Sequence, residues 1–183
     1  KGGGKDDPRF ADRLIDGLHR NAERLARIIA DLLDLSRLDA GHYRLDRQPV
    51  DVATAAAQAV AAVESNATAR ATSITIEVPA GITALADPKA LEQVLVNLID
   101  NAVKYAPPSG RVTVRAAVRD DRVRIEVADD GPGIAPVHRD RIFERFYRVD
   151  PGRSRDQGGT GLGLSIVKHL AESMGGSVGV DGN

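Results

Sequence analysis

The chain has 183 residues, of which 42% are hydrophobic and 28% are charged, a composition typical of a globular protein. Its 25 lysines and arginines nearly balance 26 acidic residues, so the net charge of -1 provides no broad basic field for nucleic acid or an anionic membrane. The lack of cysteine excludes a disulfide framework and a thiolate metal site. No apolar run approaches the roughly 18 residues of a membrane span, so we expect a cytoplasmic stretch without nucleic-acid or membrane contacts. A membrane anchor elsewhere in a longer parent stays open.

A long amphipathic helix is predicted to begin at Pro8 and to end at Gly41. Apolar residues recur three and four positions apart along it, which is the spacing of a heptad seam. A stripe this wide favours a helical bundle with a second helix, and the alternative is a helix that lies on its own domain. The seam comprises Ile15, Leu18, Ala22, Leu25, Ile29 and Leu32, and it is widened by Leu14, Ile28, Leu35 and Leu38.

After Gly41 the pattern changes to short strands and helices. Asp87 followed by Pro88 is the preferred order of a cap and a first helical residue, so a helix is predicted to begin there. The stretches RVTVRAAV and RVRIEVAD predict a hairpin that turns at Asp120 and Asp121. The other predicted elements are strands at 43–50, 73–78 and 177–180, an alanine-rich helix at 51–71, and a final helix at 162–174.

Three motifs carry the candidate chemistry: NLIDNAVKY at 97–105, DDGPGI at 129–134 and GGTGLGL at 158–164. Each alone has an ordinary explanation, since helix asparagines are often solvated and an Asp-Gly-Pro-Gly run is usually a turn. The glycine spacing is not the GxGxxG of a dinucleotide fold, and no GK[ST] marks a phosphate loop. Those two nucleotide folds are therefore disfavoured.

Together and in this order, the motifs resemble the ATP-binding part of bacterial sensor histidine kinases. Their superfamily includes gyrase, the heat-shock chaperone ATPases and MutL. NLIDNAVKYAP resembles the N box, DDGPGI the first glycine box, IFERFYRVD the F box and GGTGLGL the second glycine box. The resemblance runs from about residue 10 to the end, and the subfamily looks closest to phosphate-regulon sensors.

The resemblance implies an α+β fold, a two-layer α/β sandwich of the Bergerat type with a mixed sheet packed on helices. Residues 1–41 would contribute the second helix of the dimerisation and phosphotransfer hairpin, and residues 42–183 the catalytic ATP-binding domain. We expect both ends to be truncated, because the family's HELRTPL-like histidine motif and its last strand are missing. The four histidines, His19, His42, His138 and His169, all lack the neighbours of that motif, and His19 is predicted to be exposed on its helix.

The face of the N box is predicted to bind magnesium and a triphosphate. Asn101 offers an amide oxygen, and Mg²⁺ on a nucleotide needs only one or two protein oxygens. Asn97 lies one turn earlier and can share that role or hold a metal-bound water. Lys104 can reach a phosphate as a point charge, while Tyr105 closes the apolar wall beside the base.

From the resemblance, Asp129 accepts a hydrogen bond from the adenine amino group, although spacing alone would allow an ordinary turn aspartate. Gly131 and Gly133 let the backbone approach the base. The helix after the second glycine box would present its amino terminus to the phosphates. The remaining predicted nucleotide contacts are Ile134, Gly159, Thr160, Gly161, Leu162, Gly163 and Leu164.

The polar stretch 129–160 is too long for a mere connection, so we expect a lid over the site. Arg148 is predicted to meet the terminal phosphate across this lid. Phe143 and Phe146 are predicted to fasten the lid to the core, and the alternative is a plain hydrophobic cluster with a surface arginine.

Asn97 also bears on the type of reaction. Hydrolytic relatives carry a glutamate at this position to activate water, and asparagine cannot take up a proton at neutral pH. The main interpretation is therefore a kinase core, with Asn97, Lys104 and Arg148 as its catalytic residues, that phosphorylates a histidine on a helix missing from this chain. Its partners would be a response-regulator receiver domain and a second copy in a helical-bundle homodimer. The alternatives are a non-catalytic nucleotide-binding regulatory module and, third, a gyrase-type ATP hydrolase.

Overall fold

The computed structural model describes residues 8–39, 44–150 and 159–182. The predicted helix end at Gly41 lies outside these residues. The helices are α1 (Pro8–Asp39), α2 (Val52–Ala69), α3 (Pro88–Tyr105), α4 (Pro136–Arg139) and α5 (Gly163–Ser173), with a 3₁₀ turn at Arg141–Phe143. The strands are β1 (Gln48–Asp51), β2 (Ser73–Glu77), β3 (Thr83–Ala86), β4 (Arg111–Arg119) and β5 (Arg122–Asp129).

A mixed three-stranded sheet forms the first layer. Strand β4 lies in its centre, parallel to β2 and antiparallel to β5. The β4–β5 hairpin turns at Asp120 and Asp121, as predicted, and both residues have the positive φ that such a tight turn requires. A separate two-stranded sheet pairs β1 with β3.

The second layer consists of α2 and α3, which pack on one face of the three-stranded sheet. Alternate β4 residues, Val112 and Val114, are fully buried on that face because side chains alternate along a strand. Leu95 and Ile99, one turn apart on α3, are fully buried against them. The alanines of α2 are small enough to let this helix approach α3 closely. The α+β fold with a mixed sheet on helices is confirmed.

A second apolar cluster joins α3, α5 and the end of α1. Its buried members are Leu35, Ala90, Val94, Leu162, Ile166, Val167 and Leu170. Leu35 is only 2% exposed, so the last turns of α1 do lie on their own domain. Earlier in α1, Leu14 beside the seam and the seam residues Ile15, Leu18, Leu25 and Ile29 are 54–62% exposed, which is the arrangement that a bundle partner would cover. His19 is exposed, as predicted.

The strands differ from the sequence prediction in three places. The strand predicted at 43–50 covers only Gln48–Asp51, and β3 was not predicted because its sequence TALA contains two alanines, which are weak strand formers. The strand predicted at 177–180 is wrong, since residues 176–182 form no ladder with any described strand. The alternation of Val178 and Val180 is a pattern typical of a strand. A strand forms only where a neighbouring strand pairs with its backbone hydrogen-bonding groups.

Asp87 ties the start of α3 to the segment before β1. One carboxylate oxygen accepts from the amide of Ala90 at 3.0 Å and the other from the amide of Asp46 at 2.9 Å. Burial alone would raise the pKa of Asp87, but hydrogen bonds from the Ala90, Asp46 and Lys89 amides and the charge of Lys89 outweigh it. The pKa of Asp87 therefore lies below its ordinary value of 3.8, because folding favours the ionised form.

Replacing Asp87 with Ala should lower the free energy of unfolding by about 1–2 kcal/mol at pH 7, since the helix loses its cap and the Asp46 amide loses its acceptor. Urea unfolding followed by circular dichroism measures this. Because the folded pKa is depressed, the stabilisation is present above the unfolded pKa and disappears as the pH falls through the folded value.

The matched control is Asp51→Ala, which removes the cap of α2. Within the part of the chain that the structure describes, Asp51 accepts from the amide and hydroxyl of Thr54 alone, on an exposed helix end, so the loss should be smaller. An Asp87→Ala penalty no larger than that of Asp51→Ala, or one that persists unchanged into strong acid, would contradict the assignment.

Candidate functional site

The N-box helix and the second glycine box meet at the first residue of α5. A Cβ atom on Gly163 would lie 3.0 Å from Oδ1 of Asn97 and 4.0 Å from Nδ2 of Asn101. The absence of a side chain at Gly163 therefore brings the amino terminus of α5 against the two half-buried asparagines. Free backbone amides at a helix amino terminus attract anions, so the predicted metal and phosphate residues share one place.

Lys104 lies on the same helix, and its ammonium group forms an ion pair with Asp100 one turn earlier. Asp100 also accepts a hydrogen bond from the side-chain amide of Asn66 on α2, at 3.1 Å. The lysine is thus held close to the asparagines by α3 itself, and its contact with a phosphate stays a prediction. Asp100 was not among the predicted residues, although its position four residues before a lysine was a visible signal.

The first glycine box is pressed against the end of α3. The amide of Gly131 donates to Oδ1 of Asp129 at 2.8 Å. A Cβ atom on Gly131 would lie 2.5 Å from that oxygen and 2.9 Å from the carbonyl oxygen of Tyr105, so only glycine fits. Gly133 has a φ of 70°, which again favours glycine. The side chain of Tyr105 is 48% exposed and lies at the rim of this junction.

The two adjacent aspartates have different surroundings. Oδ1 of Asp130 accepts from the amide of Arg111 at 2.9 Å, and Gly110 leaves room for this contact. Asp130 therefore links this loop to the start of β4, whereas Asp129 makes the local turn contact that the spacing allowed, because it accepts the amide two residues later. The carboxylate of Asp129 is exposed at the end of β5 and receives the amide of Gly131, which leaves lone pairs available for a ligand.

The F box is joined to the second glycine box through its backbone. The amide of Phe146 donates to the carbonyl of Gly161 at 2.9 Å, and a Cβ atom on Gly161 would lie 3.0 Å from Cα of Phe146. Gly161 also has a φ of 76°. The ring of Phe146 is 57% exposed, so the predicted apolar anchor at Phe146 is wrong. Ile142 is buried instead, while Phe143 is half-buried.

Arg148 follows two residues later. Its Nη2 atom is buried and has no hydrogen-bond partner among the described residues. Buried donors are nearly always satisfied, and leaving a charged one unsatisfied costs free energy. An anion bound beside the second glycine box would supply the missing acceptor.

Thr160 connects the second glycine box to α1. Its hydroxyl donates to the carboxylate of Asp31 at 2.9 Å and accepts from the amide of Leu162 at 3.2 Å. Leu162 is fully buried and the hydroxyl of Ser165 donates to its carbonyl at 2.7 Å, which anchors the start of α5. Asp31 was missed by the sequence prediction, although it lies four residues before Leu35 on an otherwise apolar stripe.

The other predicted residues line the two loops. Ile134 and Leu164 are half-buried, and the carbonyl of Ile134 accepts from Nε of Arg139 at 3.0 Å. Within the described ranges, no group of three or more His, Cys, Asp or Glu side chains could hold a metal ion. No helix in the described part of the chain is long and apolar enough to cross a membrane.

Residues 86–183, more than half of the chain, match the family model described as histidine kinase-, DNA gyrase B-, and HSP90-like ATPase. The chain belongs to this family. The four boxes of this ATPase family are the segments that the structure brings together around Gly163, Gly131 and Gly161. The division of the chain at residues 41 and 42 stays a prediction.

The relatives of the chain within this ATPase family are sensor histidine kinases, which confirms the resemblance drawn from the motifs. This chain is 39% identical over 173 residues to the sensor-like histidine kinase SenX3 of Mycolicibacterium smegmatis, and the match covers 94% of this chain and 45% of that protein. It is 34% identical over 164 residues to the phosphate regulon sensor protein PhoR of Pseudomonas aeruginosa, covering 90% of this chain and 37% of that protein.

The structure of full-length ShkA in complex with AMPPNP is also similar. The two chains are 36% identical in sequence and superpose with a TM-score of 0.79. The match covers 94% of this chain and 36% of the ShkA chain. The chain thus spans less than half the length of these three relatives.

Gly161→Ala should destabilise the junction of the F box and the second glycine box. The new Cβ would meet the backbone of Phe146 and would require a positive φ, a combination worth about 1–3 kcal/mol. Hydrogen exchange of the Phe146 amide measures the effect and should accelerate. Gly159→Ala is the control, since its Cβ would meet no atom of the described residues within 4 Å. Equal exchange rates in the two variants would refute this account of the junction.

Proposed function

We propose that this chain is the ATP-binding catalytic core of a sensor histidine kinase. In this role it binds Mg-ATP and transfers the γ-phosphoryl group to a histidine on a helix outside these 183 residues. The observation that carries the proposal is the close approach of Gly163, at the amino terminus of α5, to the side-chain amides of Asn97 and Asn101. The buried Nη2 donor of Arg148, which has no partner among the described residues, supports it. We place this core in the cytoplasm.

The adenine would lie at the first glycine box. The exposed carboxylate of Asp129 can accept a hydrogen bond from the adenine amino group. Gly131 and Gly133 would let the backbone of this loop approach the base. Tyr105 provides an apolar wall at the rim. Asp129 and Asp130 are both exposed and each accepts one backbone amide, so the choice of Asp129 over Asp130 comes from the resemblance of the motif.

The triphosphate would lie between α3 and α5. Asn97 and Asn101 supply amide oxygens for a magnesium ion, which prefers oxygen ligands and keeps most of its coordination for phosphates and water. The amino terminus of α5 and the cations of Lys104 and Arg148 would offset the negative charge of the phosphates. The two asparagines offer neutral oxygen ligands rather than a cluster of carboxylates. Such a site suits a magnesium ion that binds together with its nucleotide.

Transfer to a histidine fits this site better than hydrolysis. Asn97 occupies the place where a general base would be needed to activate water, and a neutral amide cannot accept that proton. A neutral imidazole attacks phosphorus without losing a proton to a base first. ATP supplies the phosphoryl group, and the protein needs only to position it and stabilise its charge.

The seam of α1 supports a homodimer. Leu14, Ile15, Leu18, Leu25 and Ile29 form an exposed heptad stripe, and a two-helix bundle would remove this stripe from water. In such a dimer the histidine-bearing helix of the parent would pair with α1, which reaches the second glycine box through Asp31. We propose a response-regulator receiver domain as the next acceptor of the phosphoryl group.

Asp129→Ala should weaken ATP binding roughly ten- to a hundredfold, because a hydrogen bond to a charged acceptor is worth about 1.5–3 kcal/mol. Isothermal titration calorimetry with Mg-ATP measures this. Asp140→Ala is the matched control, since Asp140 is also exposed and makes no capping hydrogen bond with its side chain. Wild-type affinity in the Asp129→Ala protein would refute the adenine assignment.

A further inference from the structure

The segment that carries Arg148 is braced from a second side by α4. Nδ1 of His138 and the hydroxyl of Tyr147 are 2.6 Å apart, within hydrogen-bond distance for either tautomer of the histidine. Their rings are tilted by 46° with centroids 6.1 Å apart. The guanidinium carbon of Arg141 lies 4.3 Å from the centre of the Tyr147 ring, a cation–π contact. Tyr147 is therefore held at both its hydroxyl and its ring.

The brace is itself fixed to the domain. Nε of Arg139, the neighbour of His138, donates to the carbonyl of Ile134 at 3.0 Å, and its Nη2 donates to the carbonyl of Gly182. Helix α4 thus has anchors in the first glycine box and in the carboxy-terminal segment. The hydrogen bond between His138 of α4 and Tyr147 therefore fixes the position of Tyr147, the residue directly before Arg148.

These contacts leave the backbone around Arg148 little freedom. Phe146 is hydrogen-bonded to Gly161 at 2.9 Å on one side, and Tyr147 is hydrogen-bonded to His138 on the other. The guanidinium of an arginine is planar and its donors point in fixed directions, so fixing the backbone beside Arg148 narrows the positions that these donors can reach. Arg148, whose buried Nη2 atom has no hydrogen-bond partner in the described ranges, belongs to this constrained segment.

We propose that His138 and Tyr147 are positioning residues that aim Arg148 at the terminal phosphate and so select a nucleoside triphosphate over a diphosphate. The inference rests on the proposed function, in which Arg148 meets that phosphate. Neither His138 nor Tyr147 belongs to the two buried apolar clusters, so their loss should alter the aim of Arg148 more than the stability of the fold.

The test compares the affinities of the 183-residue chain for Mg-AMPPNP and Mg-ADP by isothermal titration calorimetry. Tyr147→Phe and His138→Ala should each weaken AMPPNP binding about three- to tenfold, the effect of losing one hydrogen bond, and leave ADP binding within about twofold. Neither change should have a further effect in an Arg148→Ala background, because both act through that arginine. Val137→Ala is the control, since Val137 lies on the same short helix and is 72% exposed.

The outcomes separate this inference from the proposed function. If Arg148→Ala weakens AMPPNP alone while Tyr147→Phe matches the wild type, the brace is wrong and the arginine assignment stands. If Arg148→Ala weakens both nucleotides equally, the terminal-phosphate contact and the brace both fail. If the wild-type chain binds neither nucleotide, the proposed function fails as well. Additive losses in the double variants would also overturn the brace, since they would mean that Tyr147 acts independently of Arg148.

Discussion

The close contact between Gly163 and Asn97 is the constraint on which the rest of the site depends. A Cβ atom at Gly163 would lie only 3.0 Å from Oδ1 of Asn97, so a larger residue there would push the amino terminus of α5 away from α3. The contact is held from behind by buried Leu162 and Ile166, which pack with Ala90 and Val94 of α3. Packing of apolar residues thus fixes the separation of the two polar surfaces that would bind the phosphates.

The same contact organises the loops on either side. Thr160 closes the turn before α5 by accepting the amide of Leu162, and it also joins this turn to Asp31 of α1. Gly161 receives the backbone of Phe146, which places Arg148 beside the turn. A displacement of α5 would therefore move the phosphate-binding amides, the F box and the end of α1 together. In a kinase, this coupling would let α1, the proposed partner of the histidine-bearing helix, respond to the nucleotide.

Local signals in the sequence predicted much of this arrangement. Asp87 and Pro88 mark the start of α3, and the alternation of valines marks the β4–β5 hairpin, because capping and strand patterns depend on neighbouring residues. The asparagines one turn apart on α3 indicated a polar face. The order of the four boxes identified the family, although no spacing within one box would have done so.

Long-range contacts were not predictable in the same way. The hydrogen bond from Thr160 to Asp31 joins residues 129 positions apart, and no periodicity relates them. The pairing of His138 with Tyr147 depends on how α4 folds back on the F box, which the sequence does not reveal. The strand predicted at 177–180 failed for a related reason, since alternating valines cannot tell whether a neighbouring strand is present.

Transfer of labelled phosphate to a separate hairpin would show whether this chain is the catalytic core of a histidine kinase. The chain would be incubated with γ-labelled ATP, Mg²⁺ and a separate hairpin dimer that carries an HELRTPL-like histidine motif. We expect the hairpin to acquire label that is lost in acid and survives alkali. Labelling should be slow, because no tether raises the effective concentration of the hairpin. No label should form without Mg²⁺. Two results would contradict the proposed kinase function. One is acid-labile label on His19 of the chain itself, and the other is steady release of free phosphate while the hairpin stays unlabelled.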